Sequence, residues 1–134
     1  IFNVYGPRMI GSKYGQVIPE FIERLKNGEY PLKIIGDGTH TRSFCYIGDH
    51  IELTWRALNT AKQCEIYNVG NPVETKIIDL ASIIMKKMNL KINFDFLSER
   101  SGDHKRRVPD ISKIKKEIGS FNFKSLEDGI QKLI

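Results

Sequence analysis

The chain has 134 residues, 40% hydrophobic and 28% charged, with a formal net charge of +5. That is enough for one globular domain and too little for two, and its apolar runs fall far short of a membrane span. Charges of both signs are interspersed, so no uniform basic face for nucleic acid can be read. Cys45, Cys64 and three scattered histidines show no metal-ligand spacing.

The first segment, Ile1-Phe2-Asn3-Val4-Tyr5, reads as a strand closed by Gly6-Pro7. It carries no initiator Met, and the sequence is expected to be part of a longer one. A polar loop over 8–16 leads into a helix with Val17, Ile18, Phe21, Ile22 and Leu25 at helical spacing, Pro19 in its first turn and Gly28 as a stop. Leu32–Ile35 predicts a short strand ended by Gly36-Asp37-Gly38, and a second strand is expected over 42–47. Asp49 is expected to cap a helix that buries Ile51, Trp55 and Leu58. Residues 65–69 read as a strand stopped by Gly70-Asn71-Pro72. Thr75 or Lys76 opens a helix with Ile77, Leu80, Ala81, Ile84 and Met88 on one stripe. Ile92, Phe94 and Phe96 alternate as in a half-buried strand. Residues 98–110 fit neither period. Asp110 is expected to cap a short helix stopped by Gly119, and Ser125 to cap a last one burying Leu126, Ile130 and Leu133.

A dinucleotide-binding turn needs closely spaced glycines so that backbone approaches a pyrophosphate. No GxGxxG or GxxGxxG occurs, and no tyrosine is followed four residues later by a lysine. By itself the chain has no machinery for hydride transfer. The run His104-Lys105-Arg106-Arg107 is open to three readings: an anionic nucleotide site, a solvated loop or a nucleic-acid patch. It stands alone between Asp103 and Asp110, without the many phosphate contacts and aromatic platforms nucleic acid needs.

Four blocks carry more information. They are Phe2-Asn3-Val4-Tyr5-Gly6-Pro7-Arg8, the stretch Gly36-Asp37-Gly38-Thr39-His40-Thr41-Arg42-Ser43-Phe44-Cys45-Tyr46-Ile47, then Tyr67-Asn68-Val69-Gly70-Asn71, and Arg100-Ser101-Gly102-Asp103 leading to Pro109-Asp110-Ile111-Ser112-Lys113. Together they resemble the C-terminal region of the extended short-chain dehydrogenase/reductase family (NAD-dependent epimerases and dehydratases). Thr41-Arg42-Ser43-Phe44-Cys45-Tyr46 and Pro109-Asp110-Ile111-Ser112-Lys113 are most similar to UDP-glucuronate decarboxylases, the UDP-xylose synthases. Ser101 departs from the pattern, where many relatives carry proline.

The resemblance implies an α/β fold. It makes residues 1–134 the C-terminal, nucleotide-sugar-binding domain of an extended Rossmann-type subunit, with residues 1–5 a strand of the Rossmann sheet and the dinucleotide-binding half missing. The full-length protein would hold NAD, oxidise the hexose C4 hydroxyl and usually return the hydride, while this segment alone would be inactive and not retain NAD. Its partner would be a UDP- or dTDP-linked sugar, with no nucleic acid and no membrane, in a cytoplasmic homodimer whose contacts lie in the cofactor half. Free cysteines agree with that compartment.

Arginine's planar fork suits phosphate oxygens, and the resemblance assigns Arg42 and Arg100 to the diphosphate, with Asn3 donating to the same phosphates. Gln16, Val17, Lys33, Ile34 and Ile35 match segments lining the nucleotide base, and Asp103 a position that holds a ribose hydroxyl or orients the neighbouring arginine. Phe2 would sit near the nicotinamide. Each has a plainer alternative: a surface ion pair for the arginines, a backbone-capping amide for Asn3, and core packing for Phe2 and Ile34. The competing functions are a non-catalytic relative that binds a nucleotide or protein for regulation, and a nucleic-acid module. The sequence upstream of Ile1 separates them.

Overall fold

In the computed structural model, which describes all residues except 12–15, 61 and 63, the apolar periodicity builds helices packed on three small sheets. Of the strand expected over residues 1–5 only Val4–Tyr5 (β1) forms, because Asn3 takes φ 38° and leaves the extended region. Of the expected loop 8–16, residues 12–15 lie outside the described set. Val17–Lys26 (α1) buries Ile18, Pro19, Phe21, Ile22 and Leu25, the stripe their spacing predicts. Gly28 follows with φ +83° and donates its N–H to the Leu25 carbonyl at 3.1 Å, a left-handed turn that costs glycine nothing.

In Leu32–Ile35 (β2), buried Leu32 and Ile34 alternate with exposed Lys33. The strand expected over 42–47 is in fact two, Thr41–Ser43 (β3) and Cys45–Tyr46 (β4), which belong to different sheets. Phe44 is the break. Its side chain enters the core at 6% exposure, its carbonyl accepts from Asn71 Nδ2 at 3.2 Å, and the Cys45 N–H turns to the Asn3 carbonyl at 3.2 Å. The backbone groups beside the break thus find partners outside the sheet of β3.

Ile47–Thr60 (α2) begins before Asp49, which lies in its first turn and accepts the Lys124 N–H at 2.8 Å. The expected buried stripe is not buried: Ile51, Trp55 and Leu58 are 62%, 64% and 76% exposed, and Leu53 is the buried residue. Helical period reveals a stripe but not which side the neighbours occupy; here α2 packs on α4, β4 and β1, and Leu53 lies on a covered side. Residues 65–69 form no strand. A strand requires a ladder partner, and no described residue supplies one; Asn68 instead donates to the Asp110 carbonyl at 3.1 Å.

Glu74–Lys76 (β5) leads into Ile77–Lys87 (α3), which buries Leu80, Ala81, Ile84 and Met85. Phe94–Leu97 (β6) starts after Ile92 and leaves Phe96 51% exposed, so the expected alternation buries Phe94 alone, and only partly. Arg106–Arg107 (β7) adds a strand in the segment that fits neither period. Ser112–Ile118 (α4) is preceded by Asp110, whose Oδ1 accepts the Ser112 N–H at 2.8 Å. Leu126–Gln131 (α5) is capped as expected: Ser125 Oγ accepts the Asp128 N–H at 3.1 Å.

β1 pairs with β4 and β2 with β6, both parallel, while β3 lies between antiparallel β5 and parallel β7. Such parallel pairs need crossovers, which makes the fold α/β. The core lies where α1, β2, α3 and α5 meet: Leu32, Ile34, Leu80, Ile84 and Ile130 are all 0% exposed. The turn between β2 and β3 covers the start of α3, whose Ile77 and Ile78 N–H groups donate to the His40 and Gly38 carbonyls at 2.9 and 3.0 Å. These are donors a helix cannot satisfy internally. Gly38, with φ +75°, allows the approach, since a Cβ there would lie 2.9 Å from the Ile78 Cβ. Among the described residues no helix is long and apolar enough to cross a membrane.

Candidate functional site: a cationic cleft between two loops

A cleft of about 960 Å³ opens between α1, β1, β2, β3 and the 100–103 loop. Its lining gathers Asn3, Gln16, Val17, Lys33, Ile35, Arg42, Arg100 and Asp103, residues spread over a hundred positions of sequence. Ile34 is not among them. Strand alternation turns Lys33 and Ile35 toward the cleft and sends Ile34 into the core at 0% exposure. Phe2 also stands apart, packed on Gly70, where a Cβ would lie 3.3 Å from its own Cβ. Asn3 adopts φ 38° and donates Nδ2 to the Ser43 carbonyl at 2.9 Å, so its amide braces β1 against β3.

The cleft is charged unevenly. Arg24, Lys33, Arg42, Arg100 and Arg107 face Glu20 and Asp103. Arg24 is engaged: Nε donates to Glu29 Oε2 at 2.9 Å, Nη2 to Glu29 Oε1 and, at 2.7 Å, to the Lys33 carbonyl. Hydrogen bonding to Arg24 holds the Glu29 carboxyl below the usual carboxylate range. Arg42 donates Nη2 to Asp103 Oδ1 and Nη1 to the Thr41 carbonyl, both at 2.8 Å. Lys33, Arg100 and Arg107 make no ion pair among the described residues. Three free cations beside a planar guanidinium draw an anion into a partly enclosed space.

The strand bearing Arg42 is stapled from both sides. The Glu74 carboxylate on β5 accepts Thr41 Oγ1 of β3 at 2.5 Å and Arg106 Nε of β7 at 3.1 Å. The Thr41 bond, then Arg106, lowers its carboxyl from the ordinary value. Arg106 of the basic run is thereby engaged in structure, whereas Arg107 reaches the cleft. His40 and Glu99 were not singled out by the sequence, yet they join the two loops at the cleft: His40 Nε2 lies 2.8 Å from Glu99 Oε1. The available signal was the position of His40 inside the second block and of Glu99 beside Arg100.

A dinucleotide fits this chain poorly. Its tight glycine turn is already committed: Gly38, with His40, covers the start of α3 through backbone carbonyls, and the Gly36 N–H donates to the Leu97 carbonyl. Among the described residues, no group of three or more His, Cys, Asp or Glu is arranged to hold a metal ion.

The model of the NAD dependent epimerase/dehydratase family matches residues 1–70. UDP-glucuronic acid decarboxylase 2 of Arabidopsis thaliana is 33% identical over 134 residues, which is 100% of this chain and 29% of that protein. UDP-glucuronic acid decarboxylase 1 of Xenopus tropicalis is 36% identical over the same 134 residues, 31% of its length. The chain thus spans about three tenths of these curated relatives. Among solved structures, a UDP-glucuronic acid 4-epimerase from Bacillus cereus in complex with UDP-glucuronic acid and NAD superposes with a TM-score of 0.84 at 34% identity, over 98% of this chain and 41% of that one. A dTDP-glucose 4,6-dehydratase from Streptomyces venezuelae with NAD bound gives 0.84 at 27% identity, over 98% and 40%. With a family match over more than half its residues and this fold, the chain belongs to the NAD dependent epimerase/dehydratase family.

Proposed function

We propose that residues 1–134 form the substrate-binding portion of an NAD-dependent nucleotide-sugar decarboxylase, epimerase or dehydratase, and that the cleft grips the diphosphate of a UDP- or dTDP-linked sugar. The observation that carries this reading is the convergence of Lys33, Arg42, Arg100 and Arg107 on one cleft. Arg42 offers the fixed fork, Arg100 and Arg107 supply charge, and Gln16, Val17, Lys33 and Ile35 form the wall for the base. Asp103 is the orienting carboxylate of Arg42, and Asn3 sets the strand spacing. Phe2 borders the nicotinamide side.

NAD supplies hydride transfer in such a reaction, and no hydride step is assigned to residues of this chain. Their work is binding energy: holding the remote nucleotide so that the sugar is oriented at the chemistry. The full-length protein is read as a cytoplasmic homodimer, a compartment that free Cys45 and Cys64 support. The test is to incubate the full-length protein with UDP-glucuronate, UDP-glucose and dTDP-glucose and identify products by mass. A decarboxylated, epimerised or dehydrated product supports the reading. No turnover of any of the three, with tight nucleotide binding, favours a non-catalytic regulatory relative.

A further inference from the structure

His40 lies outside the residues assigned to the ligand, yet it stands where the two halves of the cleft meet. Its backbone is fixed by α3, through the Ile77 N–H at 2.9 Å. The turn before it is tightened by Asp37 Oδ1, which accepts the Thr39 N–H at 2.9 Å and its hydroxyl at 2.6 Å. The imidazole is therefore carried by a rigid base, and its side chain is only 12% exposed. From that base Nε2 meets Glu99 Oε1 at 2.8 Å and Nδ1 faces Asp103 Oδ2 at 3.8 Å. The other oxygen of Asp103 takes Arg42. His40 also separates the cleft from a recess of about 260 Å³ lined by Gly36, Asp37, Thr39, Glu99 and Lys105.

The segment bearing Arg100 has few other ties. Among the described residues its backbone is joined to the turn side by Gly36 N–H to the Leu97 carbonyl at 2.9 Å and Thr41 N–H to the Lys105 carbonyl at 2.8 Å, with nothing of that kind between. Between those two points the connection to β3 and its turn is made by side chains: His40 to Glu99, and Arg42 to Asp103.

We propose that His40 is a positioning residue for the ligand: its imidazole latches residues 99–103 to the 36–42 turn, so that Arg42 and Arg100 face a nucleoside diphosphate from opposite sides of one cleft. This rests on the functional reading above. It adds that the affinity of the arginines depends on a histidine that touches no phosphate, because a loop free to swing must be ordered at the moment of binding, at an entropic cost.

The experiment measures, in the full-length protein, UDP affinity by calorimetry, steady-state kinetics, and amide exchange over 99–105 without ligand. His40→Ala is expected to weaken UDP and raise KM about tenfold, the loss of one hydrogen bond to a charged group. It should leave kcat and NAD content unchanged and speed exchange over 99–105. His40→Gln, which keeps a donor for Glu99, is expected to restore most of both. Glu99→Ala reads the same latch from its other end should His40→Ala fold poorly. Unchanged UDP affinity, or unchanged exchange over 99–105, in whichever of the two variants folds overturns the latch. Wild-type protein that binds neither UDP nor dTDP overturns the functional reading itself, a result separate from the ratio between variant and wild type.

Discussion

Arg42 and Asp103, 61 residues apart in sequence, are joined at 2.8 Å, with the arginine side chain 13% exposed and the aspartate 39% exposed. The pair connects the central strand of the three-stranded sheet to the loop that carries Arg100. With Nη1 donating to the Thr41 carbonyl, it fixes the orientation of a guanidinium that lines the cleft. A pair whose carboxylate is still open to water adds about 1 kcal/mol or less to stability, so its chief consequence is direction.

Arg42→Ala is therefore expected to cost about 2–4 kcal/mol in kcat/KM of the full-length protein while moving the melting temperature little. Arg42→Lys keeps the charge but loses the fork and should recover only part. Kinetics with the best nucleotide sugar, alongside NAD content and melting curves, check both. A large fall in melting temperature would instead make the pair a structural staple.

A second prediction concerns packing. A Cβ on Gly129 would lie 1.9 Å from the Tyr5 Oη and 2.7 Å from its Cζ. Gly129→Ala should destabilise the fold by about 1–3 kcal/mol through overpacking, despite its better helix propensity. Combining it with Tyr5→Phe removes the nearest atom and should recover part of the loss. Denaturant titration of the two single variants and the double variant reads this out.

The Arg24–Glu29 pair sets a pH dependence. The Glu29 carboxyl titrates below its ordinary value in the folded chain because Arg24 hydrogen-bonds it. Its stabilisation is thus present above the ordinary carboxylate range and is lost as pH falls through the depressed value. Glu29→Gln is expected to lower stability at neutral pH by about 1 kcal/mol or less, given its exposure, with the gap to wild type closing in acid. Urea midpoints measured from neutral pH downward test the sign.

The thiols should separate cleanly. Cys45 is 0% exposed, and burial pushes its thiol up to about 11, while Cys64 is exposed. A disulfide reagent near neutral pH should titrate Cys64 at once and reach Cys45 only in denaturant. Rapid native labelling of Cys45 would show that the β1–β4 pairing opens.

Much of this was legible in the sequence, and the failures have common causes. The stripe of α1, the Gly36–Gly38 turn and the Ser125 cap follow from local chemistry and appear as read, and so does the centre of the α3 stripe, although Met85 is buried there and Ile77 and Met88 only half-buried. The split at Phe44 and the missing strand over 65–69 depend on partners distant in sequence. So does the exposure of Trp55, because a periodic stripe states that a face is apolar and not what lies opposite it. Arg42 and Arg100 could be read from resemblance, whereas Arg107 stood only in a basic run open to several readings and Arg24 was not singled out. His40 and Glu99 could not, since a lone histidine has no spacing to mark it and its importance arises only when the two loops meet.

We propose above all that the cleft recognises a diphosphate. The most direct measurement compares the affinity of the full-length protein for UDP with uridine, and for dTDP with thymidine, by calorimetry at two salt concentrations. Four cations around one ligand predict, in at least one pair, nucleotide binding at least about 100-fold tighter than nucleoside, the worth of two or more charge-assisted contacts, with the gap narrowing as salt rises. Equal affinity for nucleotide and nucleoside in both pairs, or no binding of any of the four, would contradict diphosphate recognition.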